Sequence, residues 1–93
     1  MVIRDIKDDI KKAIYEKGFN DGVMQVLHVS TGYEFKGGEI LLVGINNDSG
    51  ELMVLVADAE DNHSFYDWDE IEEDDFLVYC KLTDEILYLL QTN

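Results

Sequence analysis

The chain begins with a predicted amphipathic helix. Apolar residues recur at three- and four-residue spacing from Ile3 to Ile14, with charged residues between them, which is the periodicity of a helix with one buried face. Lys17 suits the negative end of the helix dipole, and Gly18 offers the left-handed conformation that commonly ends a helix. A glycine in that conformation lets Phe19 fold back onto Ile14. We therefore expect a helix that ends at Lys17.

Short apolar runs separated by turn signals then predict β-strands. The run from Val23 to Thr31 follows the turn Asn20-Asp21-Gly22. Alternate residues of this run place apolar side chains on both faces of the strand, so both faces are predicted to be partly covered. His28 is predicted to be packed or hydrogen-bonded. Tyr33 to Lys36 alternates apolar and charged residues, and Gly37-Gly38 follows as a two-residue hairpin turn. These features predict two strands, the second of which opens a hairpin.

Residues 39–57 form a second predicted hairpin. Two apolar runs, residues 39–46 and 52–57, flank a polar turn at residues 47–50. Gly44 in the first run indicates a bulge or a close approach by another element. Because both runs are apolar on both faces, they predict central strands that are covered on two sides, by helices or by a second copy of the chain. A homodimer is therefore one of the alternatives.

The last third of the chain is less regular. Residues 58–64 predict a polar loop, and residues 65–68 predict a short strand. Ile71 lies in the middle of a charged segment and is predicted to hold one helical turn against the core. The apolar residues 76–82 predict the last strand. Thr83 is then the predicted N-cap of a closing helix, for which a strand is the alternative.

Together these elements predict a single α+β domain over residues 1–93, with the N-terminal helix packed on an antiparallel sheet of about four or five strands and a short helix or strand at the C-terminus. No segment has the apolar length of a signal-peptide core or a membrane span, so we expect a soluble cytoplasmic protein with no membrane partner. Cys80 is the only cysteine, and its apolar neighbours predict a buried thiol.

The distribution of charge changes this picture of an ordinary small domain. The net charge is −14, yet residues 1–36 hold six basic and six acidic side chains. The stretch from Gly37 to Cys80 holds thirteen carboxylates and no Lys or Arg, and seven of the carboxylates lie between Asp67 and Asp75. The negative charge is therefore local. Such a surface repels nucleic acid and anionic membranes and attracts a basic protein groove.

Clustered carboxylates raise the question of a metal site. Positions 1, 3, 5, 7 and 12 of a calcium-loop register are occupied by Asp58, Glu60, Asn62, Ser64 and Asp69. His63 stands where such a loop requires glycine, so we expect no specific metal site. No nucleophile motif is present, and an exposed acidic run does not place two carboxylates with separated pKa values in a cleft. We expect a protein that is not an enzyme and has no cofactor.

The same carboxylates suit a binding surface. Along extended or turn backbone, alternate side chains stand about 7 Å apart and form a regular line of negative charge, as phosphates do. Aromatic rings bracket the run at Phe65, Tyr66, Trp68 and Phe76, and we expect Tyr66 and Trp68 to anchor a partner. The predicted partner-binding residues are Asp58, Glu60, Asp61, Tyr66, Asp67, Trp68, Asp69, Glu70, Glu72, Glu73, Asp74 and Asp75.

In size, charge and the carboxylate run from Asp67 to Asp75 with Trp68 inside it, the chain is similar to small acidic inhibitors made by phages and mobile elements. These include anti-CRISPR proteins, anti-restriction proteins and inhibitors of uracil-DNA glycosylase, many of which imitate DNA. The resemblance implies an inhibitor whose partner is a nuclease or another nucleic-acid-binding enzyme. Two alternatives stay open: an immunity protein or antitoxin that neutralises a basic nuclease toxin, and an acidic structural domain with no charged partner.

Overall fold

The computed structural model describes residues 6–30 and 32–91. It confirms an α+β fold in which an N-terminal helix and two C-terminal helices accompany an antiparallel sheet. The elements are α1 (Ile6–Lys17), β1 (Phe19–Asn20), β2 (Met24–His28), β3 (Glu34–Phe35), β4 (Gly38–Asn46), β5 (Leu52–Asp58), β6 (His63–Asp67), α2 (Trp68–Asp74) and α3 (Phe76–Gln91). Among the described helices, none is both long enough and apolar enough to cross a membrane.

The sheet has six strands in the order β1-β2-β4-β5-β6, with β3 paired to β4, and all pairs are antiparallel. Its centre is the predicted hairpin of β4 and β5. The register shifts between Ile40 and Leu42, so the bulge lies there and not at Gly44. Gly44 is instead a place of close approach, because a Cβ atom added to it would lie 2.8 Å from Cε of Met24.

The turn between β3 and β4 lies one residue earlier than predicted. Lys36 and Gly37 have φ angles of 51° and 78°, and two consecutive left-handed residues are what a type I′ hairpin turn requires. Gly38 is therefore the first residue of β4. It is glycine for a different reason, since a Cβ atom there would lie 2.6 Å from the carbonyl oxygen of Ala57.

Helix α1 ends at Lys17 as predicted, and the predicted first residue, Ile3, lies outside the described residues. The N–H of Gly18 donates to the carbonyl oxygen of Ile14 at 2.8 Å. The predicted left-handed conformation of Gly18 is wrong, because its φ is not positive. Space is the reason for glycine, since a Cβ atom would lie 2.2 Å from the carbonyl oxygen of Val26. Phe19 enters β1 and is 67% exposed, so it does not fold back onto Ile14.

The largest correction concerns α3, which replaces both the predicted strand at residues 76–82 and the predicted N-cap at Thr83. Asp75 supplies the start of this helix, because its Oδ1 accepts the N–H of Val78 at 3.2 Å. The buried stripe follows at four-residue spacing, at Val78, Leu82 and Ile86. Thr83 lies inside the helix, and its buried Oγ1 has no hydrogen-bond partner among the described residues.

The three helices cover one face of the sheet. Their buried side chains form one cluster with alternate residues of the central strands, such as Val43 and Ile45 of β4 and Val54 and Val56 of β5. The residues between them point to the opposite face, which lies outside that cluster. The central strands were predicted to be covered on both faces. The helices cover one face, and the opposite face is not covered by them.

Candidate functional site: an acidic helix and its apolar edge

The carboxylate run folds as helix α2 and not as extended or turn backbone. Asp67 is its N-cap, with φ −67° and ψ 146°. The carboxylate of Glu70 accepts the N–H of Asp67 at 3.1 Å, which is the returning bond of a capping box. Asp69 and Glu70 also lie in the first turn, where negative charge stabilises the helix dipole. The acidic residues thus help to form the helix that displays them.

Helix α2 divides its residues between a buried side and a charged side. Trp68 and Ile71 are 2% and 0% exposed and pack into the core. At 100° per residue, Asp69 and Glu73 project away from Ile71, and both are exposed. Ile71 therefore holds the helix against the core as predicted, while the carboxylates face the solvent.

Two carboxylates of the run already have basic partners within the chain. Asp69 lies 2.6 Å from Nζ of Lys7, and Asp74 lies 2.7 Å from Nζ of Lys36. The hydrogen bond and charge of Asp74 raise the pKa of Lys36. All four side chains are substantially exposed, so water and salt screen these pairs. They partly neutralise the two ends of the helix.

The middle of α2 lies beside an exposed apolar edge. Burial raises the pKa of Tyr79, and the charge and hydrogen bonding of Glu72 raise it further. The ring of Phe76 stacks on Tyr79 with centroids 5.6 Å apart. Phe76 and Leu77 are 62% and 65% exposed. We call the five residues Asp69, Glu72, Glu73, Phe76 and Leu77 the acidic helix surface.

The two predicted apolar anchors, Tyr66 and Trp68, are not among these exposed residues. Trp68 lies in the core, so it presents almost no surface to a partner. Tyr66 is half-buried and packs edge-on against Phe35 at 5.5 Å between centroids. Leu77 was not among the predicted anchors because the apolar residues 76–82 predicted a strand. With Asp75 as the N-cap of a helix, Phe76 and Leu77 fall off the stripe of buried residues, and that spacing would have revealed them.

The loop between β5 and β6 gives its carboxylates different roles. Asp58 accepts the backbone N–H groups of Glu60 and Asn62, both at 2.9 Å. The hydrogen bond from Asn62 is the main reason that the pKa of Asp58 lies below its usual value, and the bond from Glu60 lowers it further. Asp58 therefore organises the turn. Glu60 and Asp61 are exposed, and Asp61 lies 3.6 Å from Nε2 of His63. These two acids are separate in sequence from α2 and form a second charged segment.

Asp75 belongs to the framework of the site. Its N–H donates to the carbonyl oxygen of Ile71, and its carboxylate caps α3. Among residues 6–30 and 32–91, no group of three or more His, Cys, Asp or Glu side chains is arranged to hold a metal ion. No protein-family model, curated protein or solved structure matches this chain. The physical properties of the surface are therefore the basis for its function.

Proposed function

We propose that this protein binds, through the acidic helix surface, a basic groove of a partner protein that otherwise holds nucleic acid. The observation that supports the proposal is the density of negative charge on α2. Its seven residues include five carboxylates within about 10 Å of helix axis. Duplex DNA carries about six phosphate charges over the same length. Because Lys7 and Lys36 pair with two of the five carboxylates, the helix carries about half of that charge, and the exposed Glu72 and Glu73 supply most of it.

Two glutamates are the best candidates for pairing with the partner. Asp69 and Asp74 are engaged by lysines of the same chain. Glu72 and Glu73 have no ion pair with a described Lys or Arg, and both are exposed. An arginine of the partner that approaches them gains a charge-assisted hydrogen bond without displacing an existing salt bridge.

The apolar edge adds what charge alone does not supply. Long-range attraction raises the rate of encounter, whereas buried apolar contacts slow dissociation. Phe76 and Leu77 lie directly after the acidic helix and are already exposed. Their burial against a partner would remove apolar area from water at about 25 cal/mol per Å². The combination suits stable, stoichiometric occupation of a groove.

The proposal is tested by affinity capture with matched variants. The bait variant Glu72→Gln/Glu73→Gln removes two charges from α2, and the control variant Glu16→Gln/Asp48→Asn removes two charges from exposed positions elsewhere. Each bait is incubated with lysate of the source cell, washed at low and high salt, and challenged with duplex DNA. We expect wild type and control to retain a nucleic-acid-binding protein that the α2 variant loses and that salt and DNA displace.

Two results would refute the proposal. One is a captured partner that binds the α2 variant and the wild type equally well. The other is a partner that the bait still captures in full after the partner has been saturated with duplex DNA, because DNA and a mimic of DNA would occupy the same groove. A phage or prophage origin of the chain would favour an anti-defence role for the binding.

A further inference from the structure

The face of the sheet opposite the helices carries two apolar rows. Cross-strand partners on this face are Phe19, Val26, Gly44 and Met53 in the first row. The adjacent row contains His28, Leu42, Leu55 and Phe65. We call these two rows the open face. None of their residues belongs to the core cluster, and the rings at opposite corners, Phe19 and Phe65, are 67% and 49% exposed.

The open face is nearly free of charge in a chain whose net charge is −14. Within its two rows, the charged residue is Asp67, which pairs with Met53 at the end of the first row and caps α2. The flanking row of Glu39, Ala57 and His63 on the same side of the sheet adds a carboxylate at the rim. A highly charged partner, acidic or basic, gains nothing from such a surface. An equally neutral, apolar surface is the best match. We propose that two copies of this chain associate through their open faces.

The positions of the two rings make the face self-complementary. A two-fold axis parallel to the strands places β6 of one copy over β1 of the other. The ring of Phe65 then lies one row, or about 7 Å, along the strand direction from Phe19 of the second copy. Because β1 has only two residues, the sheet beside His28 has no outer strand at that row. Each Phe65 thus meets an unoccupied corner next to Phe19 and His28, whose rings are 6.4 Å apart.

The area of the face is sufficient for a dimer. Five strands spaced about 4.8 Å apart are roughly 24 Å wide, and a strand of seven residues is about as long. With the flanking rows included, this side of the sheet offers roughly 550 Å² in each copy, or roughly 1,100 Å² in total, close to the roughly 1,000 Å² expected of a specific interface. The two apolar rows cover roughly 14 Å of that strand length and form its centre. Packing sheet on sheet also places α1, α2 and α3 on the outer sides of both copies, so the acidic helices are kept apart.

This arrangement predicts a salt dependence opposite to that of the acidic helix surface. Salt screens the repulsion between two copies of net charge −14 and leaves apolar burial intact, so it strengthens the dimer. The same salt weakens attraction between carboxylates and a basic partner. Failure of one proposal is therefore distinguishable from failure of the other.

Sedimentation equilibrium over a wide range of protein concentration, at low and high sodium chloride, tests the dimer. The variants are Phe19→Ser and Phe65→Ser at the open face, with Tyr88→Ser on α3 as the control, since Tyr88 is similarly exposed at 64%. Each open-face variant removes two rings from the dimer, and we expect its dissociation constant to rise about 100-fold. We expect the control to dimerise like the wild type, and thermal unfolding by circular dichroism shows that all variants fold.

A wild type that stays monomeric at high salt and at the highest concentration overturns the proposal. So does a dimer that Phe19→Ser and Phe65→Ser leave intact, or one that Tyr88→Ser dissociates, because either result places the interface on another surface.

Discussion

Glu85 ties α3 to the segment that follows β2. Its Oε2 accepts the N–H of Ser30 and its Oε1 accepts the hydroxyl of Tyr33, both at 2.6 Å. Hydrogen bonds to a charged group contribute about 1.5–3 kcal/mol each, and partial exposure places these near the lower value. We expect Glu85→Ala to lower the free energy of unfolding by about 3 kcal/mol. For a domain of this size, that corresponds to a fall in melting temperature of at least about 10 °C.

The assay is urea unfolding of wild type, Glu85→Ala, Tyr33→Phe and the double variant, monitored by circular dichroism at several protein concentrations. Because Tyr33 donates to Glu85, the effects of the two substitutions are not additive, and we expect a coupling free energy of about 1 kcal/mol. Equal effects of Tyr33→Phe in the wild-type and Glu85→Ala backgrounds would refute the direct contribution of this bond. A Glu85→Ala variant as stable as the wild type would refute the whole connection.

The same contact predicts how stability changes at alkaline pH. The hydrogen bond to Glu85, followed by burial, raises the pKa of Tyr33 from 10.0 to about 12. The folded state therefore holds the phenolic proton more tightly than the unfolded state does. The stabilisation is complete below pH 10 and is lost as the pH rises towards 12. We expect the stability difference between wild type and Tyr33→Phe to shrink over this range, and a difference that stays constant would contradict the assignment.

Three further predictions concern single residues. Gly18→Ala should lower the free energy of unfolding by about 2 kcal/mol or more, because the new Cβ atom would clash with backbone oxygens of Val26 and Ile14. A variant with the same urea unfolding free energy as the wild type would contradict this. Trp68→Ala should lower the free energy of unfolding by about 3–5 kcal/mol, and the fluorescence of native Trp68 should resist acrylamide quenching, whereas ready quenching would place the ring at the surface. Because the pKa of Asp58 is lowered in the folded state, the ionised side chain stabilises the fold at pH values above 3.8, the pKa in the unfolded state. This stabilisation is lost as the pH falls through the pKa of the folded state. Asp58→Asn should therefore lose less stability from pH 5 to pH 2 than the wild type, and equal losses would be evidence against this role of Asp58.

Elements with an unambiguous local signal were predicted correctly. The apolar period of α1 determines which face of the helix is buried, and the polar turn between β4 and β5 determines the register of that hairpin. A rotation of the helix or a shift of the register by one residue would expose several apolar side chains. The predicted closing helix after Thr83 is confirmed as the C-terminal part of α3, whereas its N-terminal part was predicted as a strand because Phe76 and Leu77, which precede the buried stripe, are also apolar. Because these two residues are apolar, a helix with one buried face had the sequence pattern of a strand with two buried faces. The signal that was not used is local, namely that Asp75 caps a helix through a hydrogen bond to the residue three positions later.

The candidate site was predicted in composition but not in shape. The sequence located the carboxylates from Asp67 to Asp75, and the structure winds them around a helix. The spacing of Asp67 and Glu70 is that of a capping box, a signal that was present in the sequence. The burial of Trp68 was not accessible in this way, since it depends on which side of α2 faces the core.

Asp75 has a mechanical consequence for the acidic helix. One residue closes α2 through its N–H and opens α3 through its carboxylate, so the joint between the two helices has little freedom to bend. Trp68 and Ile71 hold the other side of α2 against the core. The carboxylates therefore stand on a rigid support before any encounter. A partner that binds them does not have to order the backbone of this segment, and the entropy lost on association is correspondingly small.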